Sequence, residues 1–297
     1  MKKQHLPITI LLAFLLCIIN VSCSKSNKTP PSPISHSPTK EEDDEDSFHN
    51  IGTKVVPKEE PNKIPVLLYH HLLIAEDIEK YNWINNKIVL SVETFDKQMK
   101  YLHDNGYYVA TLDELRQFID GEIELPKKTV VITFDDGFLS NIVYGYPIMK
   151  QYNLHGTIFV IGSAAESPQQ SFDPKTVQYI NINEMPKYKD VFNFESHTYS
   201  LHKHDENKNK KPLIITSDKN VIVEDISKNM ELLDAKYIAY PFGSYNNTTI
   251  EYLRETNHEM AFTVKQGYVT PGLNKYELPR FEIVPETTME EFINIVQ

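Results

Sequence analysis

The chain has 297 residues, 40% of them hydrophobic, and a formal net charge of −11. This length suits one large domain or two small ones, with enough apolar residues to form a core. The acidic balance argues against a nucleic-acid partner, because nucleic acids select basic surfaces. Both cysteines, Cys17 and Cys23, lie close to the N-terminus, so we predict that the folded domain contains no disulfide.

The N-terminal segment has the pattern of an export signal. Two lysines precede an almost unbroken apolar run over residues 6–19, which is too short for a comfortable membrane-spanning helix. We therefore predict a signal peptide over residues 1–22. Cys23 resembles the lipid acceptor of a bacterial lipoprotein, although Asn20 stands where such signals usually have Leu. We expect an exported protein anchored to the membrane through Cys23, with simple secretion as the alternative.

Residues 23–62 differ in composition from the rest of the chain. They are rich in Ser, Pro, Lys and Asn and contain an acidic run from Glu41 to Asp46. Such a segment cannot bury enough apolar surface to fold, so we predict a disordered tether. The folded domain is then expected over residues 63–297.

Apolar strands and helical patterns alternate from Ile64 onward, which favours a mainly parallel α/β architecture. The predicted strands cover residues 64–69, 107–110, 129–134, 156–161, 191–194, 237–240 and 261–264. The predicted helices cover residues 92–105, 112–119, 142–152, 230–233 and 249–256. Thr111 and Glu114 form a capping-box pattern at the start of the second helix.

Four of the predicted strands are followed by polar or turn-forming residues. Because the carboxyl ends of parallel strands meet at one edge of a sheet, we expect these groups to lie close together. They are His70-His71, Asp135-Asp136-Gly137, Glu195-Ser196-His197 and Pro241-Phe242-Gly243.

The carboxylates and imidazoles of these groups suit a metal site. Consecutive strand residues point in opposite directions, so one of Asp135 and Asp136 can bind a metal while the other accepts a proton. His197 and His202 are five residues apart, which is about 140° on a regular helix. They can share a metal only on an irregular loop, with His204 as a competing ligand. One carboxylate and two imidazoles form a usual catalytic zinc set; the alternatives are a simple Asp-Gly turn and a solvated histidine pair.

The same residues resemble the motifs of a known family. Residues 133–137 (Thr-Phe-Asp-Asp-Gly) resemble the first motif of the polysaccharide deacetylase (NodB-homology) family, carbohydrate esterase family 4. Residues 196–202 resemble the second motif, with the histidine spacing of the biofilm poly-N-acetylglucosamine deacetylase subgroup. Residues 240–243 (Tyr-Pro-Phe-Gly) resemble the third motif.

This resemblance implies a distorted (β/α)7-type barrel in a single catalytic domain. It also implies that Asp136, His197 and His202 bind a divalent metal and that Asp135 is the general base. Zinc is the default metal for such a set, and cobalt or nickel are alternatives.

Two departures from the family pattern concern the groups around the base. Ala239 occupies the place of the third-motif Arg, and Arg280 is the candidate to supply its charge from another strand. The usual C-terminal Leu-x-His is missing, but Leu68-Tyr69-His70 matches it at the start of the domain, as in the biofilm subgroup. We therefore expect His70 to be the general acid and His71 to be structural.

The family also implies that the backbone N–H of Phe242 holds the oxyanion. Tyr240, Pro241 and Arg280 are the other candidates for oxyanion or substrate binding. The predicted function is removal of N-acetyl groups from an extracellular or cell-wall glycan, such as poly-N-acetylglucosamine, a chitin-like polymer or peptidoglycan. The glycan is the expected partner, and no protein partner is predicted. The alternatives are an O-acetyl esterase on xylan or peptidoglycan and a non-catalytic glycan-binding lipoprotein.

Overall fold

A computed structural model of the protein describes residues 62–297, which belong to one compact unit. The predicted signal peptide, nearly all of the predicted tether and the lipidation candidate Cys23 lie outside the described residues. Within residues 62–297, no helix combines the length and the apolar character needed to cross a membrane.

The centre of the fold is a curled sheet whose strands are mostly parallel. The strands of the described residues are β1 (Ile64–Tyr69), β2 (His71–Leu73), β3 (Val89–Ser91), β4 (Tyr108–Val109), β5 (Thr129–Phe134), β6 (Gly156–Val160), β7 (Phe192–Ser196), β8 (His204–Asp205), β9 (Lys211–Pro212), β10 (Tyr237–Ala239), β11 (Met260–Phe262), β12 (Tyr268–Val269) and β13 (Phe281–Glu282). Two small sheets, β2–β3 and β8–β9, are separate from the main one. The main sheet has the order β11-β10-β7-β6-β5-β1-β12, with β4 also beside β5 and β13 also beside β1. Only the β1–β12 pair of this sheet is antiparallel.

Helices connect the strands and cover the sheet. They are α1 (Ala75–Lys80), α2 (Val92–Asp104), α3 (Leu112–Ile119), α4 (Tyr146–Gln151), α5 (Gly162–Ala165), α6 (Leu213–Thr216), α7 (Lys219–Leu233), α8 (Asn247–Glu255) and α9 (Met289–Val296). The capping box predicted at Thr111 and Glu114 is present at the start of α3.

The central strand β5 is largely apolar because both of its faces are covered. Val130, Ile132 and Phe134 pack into one core cluster, whereas Val131 packs into another. Successive side chains of a strand point to opposite faces, so a strand covered on both faces needs apolar residues in both alternating sets. The buried hydroxyls of Thr129 and Thr133 donate to backbone carbonyls.

One short segment bridges the two sides of the curled sheet. Leu278 pairs with Phe262 at the end of β11, and β13 pairs in parallel with β1. We call residues 278–282 the closing segment. It completes a distorted barrel in a single domain, which confirms the predicted fold class.

Two predicted helices differ from the structure. The region of residues 142–152 begins as a π-helical turn over Asn141–Gly145 and becomes α-helical only in α4. The predicted helix at residues 230–233 is the end of α7, which has 15 residues. The buried face of α7 carries Asp225 and Asn229 beside Ile222 and Ile226, so its apolar periodicity is interrupted.

Candidate active site

The four strand ends chosen from the sequence lie at the same edge of the sheet. Strands β1, β5, β7 and β10 all run parallel within it. The Asp135 amide donates to the Tyr69 carbonyl at 3.0 Å, which joins the end of β1 to the end of β5. The expected convergence follows from the parallel order of the strands.

The turn after β5 separates the two adjacent carboxylates. Asp136 and Gly137 both have left-handed backbone angles, with φ of 72° and 78°. Asp tolerates this region better than most residues, and Gly adopts it without steric cost. The Gly137 carbonyl accepts a hydrogen bond from the Ile180 amide at 3.0 Å, which fixes the turn. As a result, Asp135 and Asp136 face different partners.

Asp135 forms a buried, two-pronged ion pair with Arg280. The distances from Nη1 to Oδ1 and from Nη2 to Oδ2 are both 2.7 Å, and the two residues are 0% and 3% exposed for Arg280 and Asp135, respectively. Burial raises the pKa of the Asp135 carboxyl, but the Arg280 charge outweighs burial and holds that pKa at about 2. Asp135 is therefore ionised at every physiological pH.

The closing segment brings Arg280 to this position. The Arg280 amide donates to the Lys265 carbonyl, and its Nε donates to the Thr263 carbonyl at 2.9 Å. Its Nη1 also contacts Thr133 Oγ1 at 3.3 Å. The guanidinium thus has four hydrogen-bond contacts for its buried charge. Arg280 therefore supplies a positive charge beside Asp135 from another segment, where the third motif has Ala239.

Asp136, His197 and His202 form a cluster at the other side of the turn. Asp136 Oδ1 lies 3.4 Å from His197 Nε2 and 3.4 Å from His202 Nε2. This oxygen is buried and has no hydrogen-bond partner of ordinary geometry. Within the described residues, these three are the group found with the composition and spacing to hold a metal ion.

Hydrogen bonding fixes the orientation of one imidazole. His197 Nδ1 lies 2.8 Å from the Ala239 carbonyl, so Nδ1–H donates to it and the Nε2 lone pair faces Asp136. Burial lowers the pKa of His197, but Asp135 and Asp136 outweigh burial and raise that pKa. Burial and the neighbouring His197 lower the pKa of His202 to about 4. His202 is thus neutral, as a metal ligand must be.

The cluster fits a divalent cation. A tetrahedral ion with ligand distances of about 2.1 Å places its ligand atoms roughly 3.4 Å apart, which matches both contacts of Asp136 Oδ1. A buried carboxylate oxygen without a hydrogen bond is costly, and a cation would satisfy it. Two imidazoles and one carboxylate leave room for a water molecule in a fourth position.

His70 stands at the end of β1 with two partners that the sequence analysis missed. Its carbonyl accepts a hydrogen bond from Asn141 Nδ2 at 2.6 Å. Its Nδ1 lies 3.9 Å from Glu282 Oε1, and the Glu282 side chain is 38% exposed. Glu282 belongs to β13, two residues after Arg280. Neither Glu282 nor Asn141 lies in one of the motifs on which the sequence analysis relied.

The turn at residues 240–243 is only partly available to a substrate. Phe242 has φ of 57° and is 41% exposed, and its ring centroid lies 4.2 Å from that of His202. The backbone hydrogen bonds of the turn are donated by the Gly243 and Ser244 amides, not by Phe242. A side chain at Gly243 would collide with Val264, so this turn requires glycine.

Tyr240 and Pro241 of the predicted binding set have buried side chains. The Tyr240 hydroxyl donates to the Tyr276 carbonyl at 3.0 Å, so this side chain has a partner within the protein. A substrate-binding role for these two residues stays a prediction.

The other histidines near the site lie outside the cluster. His71 is buried, and its Nδ1 lies 2.6 Å from Ser140 Oγ, in keeping with a structural role. His204 is exposed on β8, with its ring against Phe242. It is not part of the group that could hold a metal.

The barrel thus carries a candidate metal site at the carboxyl edge of its parallel sheet, an arrangement that suits a hydrolase. The profile of the family described as Polysaccharide deacetylase matches residues 122–261. This range contains Asp135, Asp136, His197 and His202. Residues 122–261 thus form a region of polysaccharide deacetylase type, and the Asp136–His197–His202 group within it could hold a metal ion.

Two curated relatives show how far the similarity extends. YxkH of Bacillus subtilis (strain 168), which carries a polysaccharide deacetylase name, is 27% identical over 290 residues, or 96% of this chain and 95% of the relative. The poly-beta-1,6-N-acetyl-D-glucosamine N-deacetylase of Staphylococcus aureus (strain N315) is 27% identical over 257 residues, or 80% of this chain and 83% of the relative.

Solved structures share the fold. IcaB from Ammonifex degensii superposes with a TM-score of 0.67 at 25% identity, covering 80% of this chain and 97% of that one. The deacetylase PplD of Streptococcus pyogenes, solved with acetate, superposes with a TM-score of 0.68 at 24% identity, covering 80% of this chain and 100% of that one.

Proposed function

We propose that this protein removes N-acetyl groups by hydrolysis from an extracellular poly-N-acetylglucosamine. The observation that carries the proposal is the pairing of an Arg280-bound carboxylate, Asp135, with the Asp136–His197–His202 cluster at one edge of the barrel. The 27% identity to the Staphylococcus aureus N-deacetylase over 80% of this chain supports the choice of substrate.

Asp136, His197 and His202 would hold the metal, for which zinc is the first choice because it prefers such ligands. When bound, the metal lowers the pKa of a water molecule and polarises the acetamide carbonyl. The hydrogen bond from His197 Nδ1 to Ala239 keeps Nε2 available for this role.

Asp135 acts as the general base. The Arg280 pair keeps the carboxylate ionised and fixes the direction of its oxygens, so that Asp135 can take a proton from the attacking water. Bidentate geometry restricts both rotation and translation of the carboxylate. Arg280 contacts Asp135 and the neighbouring groups of Thr133 and Thr263, so its contribution is to hold the base in place.

His70 acts as the general acid. An amide nitrogen leaves as an amine only after protonation, and His70 stands at the end of the strand next to Asp135. Asn141 holds the His70 backbone, and Glu282 faces the ring. The Phe242 amide, which donates none of the backbone hydrogen bonds of its turn, is the donor that would stabilise the developing oxyanion.

The test is an acetate-release screen with the full chain. Substrates are poly-β-1,6-N-acetylglucosamine, chitooligosaccharides, peptidoglycan and acetylxylan, each with and without a chelator. We expect acetate from the first polymer, loss of release with chelator, and recovery with added Zn²⁺. Release from acetylxylan alone would favour the O-acetyl esterase, and glycan binding without any release would favour the non-catalytic lipoprotein.

The same proposal includes export and lipid anchoring at Cys23, which lies outside the described residues. It is supported by the apolar run and the small residues before Cys23. In a bacterial host that processes lipoprotein signals, Cys23→Ala is expected to move the protein from the membrane fraction to the medium. Cys17→Ala is the matched control and should leave fractionation unchanged. Membrane retention of the Cys23 variant would contradict anchoring at this residue.

A further inference from the structure

Two polar side chains on the buried face of α7 point at the loop that carries the histidine ligands. Asp225 is 7% exposed and Asn229 is 0% exposed. They are four residues apart and therefore stand one above the other on the helix. Ile222 and Ile226 of the same face pack into the core, so an apolar residue would be the ordinary choice at both polar positions.

Asp225 binds the backbone between the two histidines. Its Oδ1 accepts a hydrogen bond from the Tyr199 amide at 2.8 Å. Its Oδ2 accepts from the Ser200 amide at 2.8 Å and from Ser200 Oγ at 2.7 Å. One buried carboxylate thus satisfies successive amides of a segment that has no strand or helix of its own.

Asn229 extends this contact to the end of β7. Its Nδ2 donates to Ser196 Oγ at 2.9 Å and to the Val160 carbonyl at 3.0 Å. Its amide group fills the space next to Gly162, where a side chain would collide with Asn229 Oδ1. The loop therefore rests between α7 on one side and the end of β6 on the other.

Backbone hydrogen bonds hold only part of the histidine loop: the Gly162 and Ser163 amides donate to the Thr198 and Tyr199 carbonyls at 3.1 and 2.8 Å, whereas the Tyr199 and Ser200 amides depend on Asp225. Thr198 has φ of 68°, a strained conformation for a β-branched residue. A five-residue spacing puts two side chains about 140° apart on a regular helix, yet both Nε2 atoms lie 3.4 Å from Asp136 Oδ1. The irregular path of residues 198–201 produces that convergence, and Asp225 holds this path.

We propose that Asp225 is a positioning residue for the metal site, acting through the backbone of Tyr199 and Ser200 on the separation of His197 and His202. The inference rests on the proposed metal-binding role of the cluster. Packing alone would not require a carboxylate here, since burying a charge costs free energy that well-packed apolar residues avoid. The carboxylate instead gives the loop directed hydrogen bonds at a defined distance.

The test measures metal binding rather than turnover. The full chain with Asp225→Asn is stripped of metal and titrated with Co²⁺, followed by its visible absorption. The substitution keeps the shape of the side chain. It replaces one carboxylate oxygen, which accepts hydrogen bonds from the loop, with an NH2 group that cannot accept one from a backbone amide. We expect Co²⁺ binding to weaken by about 10- to 100-fold, as for other residues that orient ligands, and the absorption intensity to change with the coordination geometry.

Glu224→Gln is the matched control, because it removes the same charge from an exposed position of the same helix. Its Co²⁺ affinity should stay within about twofold of wild type. Ser200→Ala is the second variant and removes only the hydroxyl contact with Asp225. It should weaken Co²⁺ binding by roughly 2- to 10-fold, the usual net value of one hydrogen bond.

The outcomes separate positioning from simple stabilisation. Wild-type Co²⁺ affinity and spectrum in Asp225→Asn would overturn the proposal, even if the free energy of unfolding falls. If that variant does not fold, a wild-type result for Ser200→Ala overturns it instead. If the wild-type chain binds no Co²⁺ at the cluster, the proposed metal site itself fails, which is a different result from unchanged binding in the variants.

Discussion

The closing segment and the histidine loop both deliver side chains to the active site, but they are held in different ways. Residues 278–282 pair through their backbone with β11 on one side and β1 on the other. Residues 197–202 belong to no strand or helix; backbone hydrogen bonds to residues 160–163 and the Asp225 side chain of α7 hold them in place. The first region is paired into the sheet of the barrel, whereas the second is a loop outside the sheet.

This difference matches the chemistry of the side chains. Arg280 on the closing segment finds all its partners within the protein, including the Asp135 carboxylate. The histidine loop ends in a cluster where Asp136 Oδ1 has no hydrogen-bond partner. We infer that the closing segment contributes to stability as well as to catalysis, and that the loop contributes mainly to metal binding.

The largest expected effect is on turnover, in Asp135→Asn. Loss of the general base should lower kcat by about 10²- to 10⁴-fold, while the loop ligands still bind one equivalent of metal. Acetate release and metal content on the same sample check this. The exposed Asp190→Asn is the control. Wild-type turnover in Asp135→Asn would show that the base lies elsewhere.

The next effect is on stability, in Arg280→Met. Removing one partner of a buried ion pair leaves an uncompensated charge and should lower the free energy of unfolding by about 3–5 kcal/mol. His202→Gln, on a side chain that is 20% exposed, should lower it by less than about 1 kcal/mol. Urea unfolding in the presence of chelator compares the two without any contribution from metal.

A double variant sharpens this prediction. Arg280→Met combined with Asp135→Asn removes both charges and should recover part of the lost stability. Equal losses in Arg280→Met and His202→Gln would contradict the distinction between the two regions.

A third effect comes from His258, which is buried outside both regions and bonded to Thr256 Oγ1 at 2.8 Å. Burial lowers the pKa of His258 from 6.5 to about 4. The unfolded chain therefore takes up a proton first, and stability is lost as pH falls from about 6.5 toward 4. Between pH 7 and pH 5 this residue should cost about 2 kcal/mol of unfolding free energy.

Urea unfolding of wild type and His258→Gln at the two pH values isolates this contribution. The variant should lose less stability on acidification than the wild type does. An identical loss in both proteins would mean that His258 is not kept neutral in the fold.

The smallest effect is expected in Glu282→Gln. The pair with His70 is 3.9 Å long, and the Glu282 side chain is 38% exposed, so water and salt screen it. We expect kcat to fall by no more than about fivefold, which corresponds to about 1 kcal/mol. A loss of more than about 100-fold would show that the closing segment supplies a second essential group.

The sequence allowed much of the barrel to be predicted, because buried parallel strands have continuous apolar runs. The strands Ile64–Tyr69 and Thr129–Phe134 have the predicted bounds. Helix α7 was recognised only at its end, since Asp225 and Asn229 interrupt its buried face. The interruption has a cause in the tertiary structure: these side chains hold the histidine loop. A departure from the local pattern thus marked a position with a functional role.

The sequence by itself determined which strands end in polar groups and which residue types those groups contain, because strand periodicity and motif spacing are local properties. It also singled out Arg280 and His70 as replacements for missing motif residues. Only the tertiary structure decided that Arg280 reaches Asp135, that Glu282 and Asn141 flank His70, and that Tyr240 and Pro241 are buried. These facts depend on which distant segments pair across the barrel, and contacts between residues far apart in the chain leave no periodic signal in it.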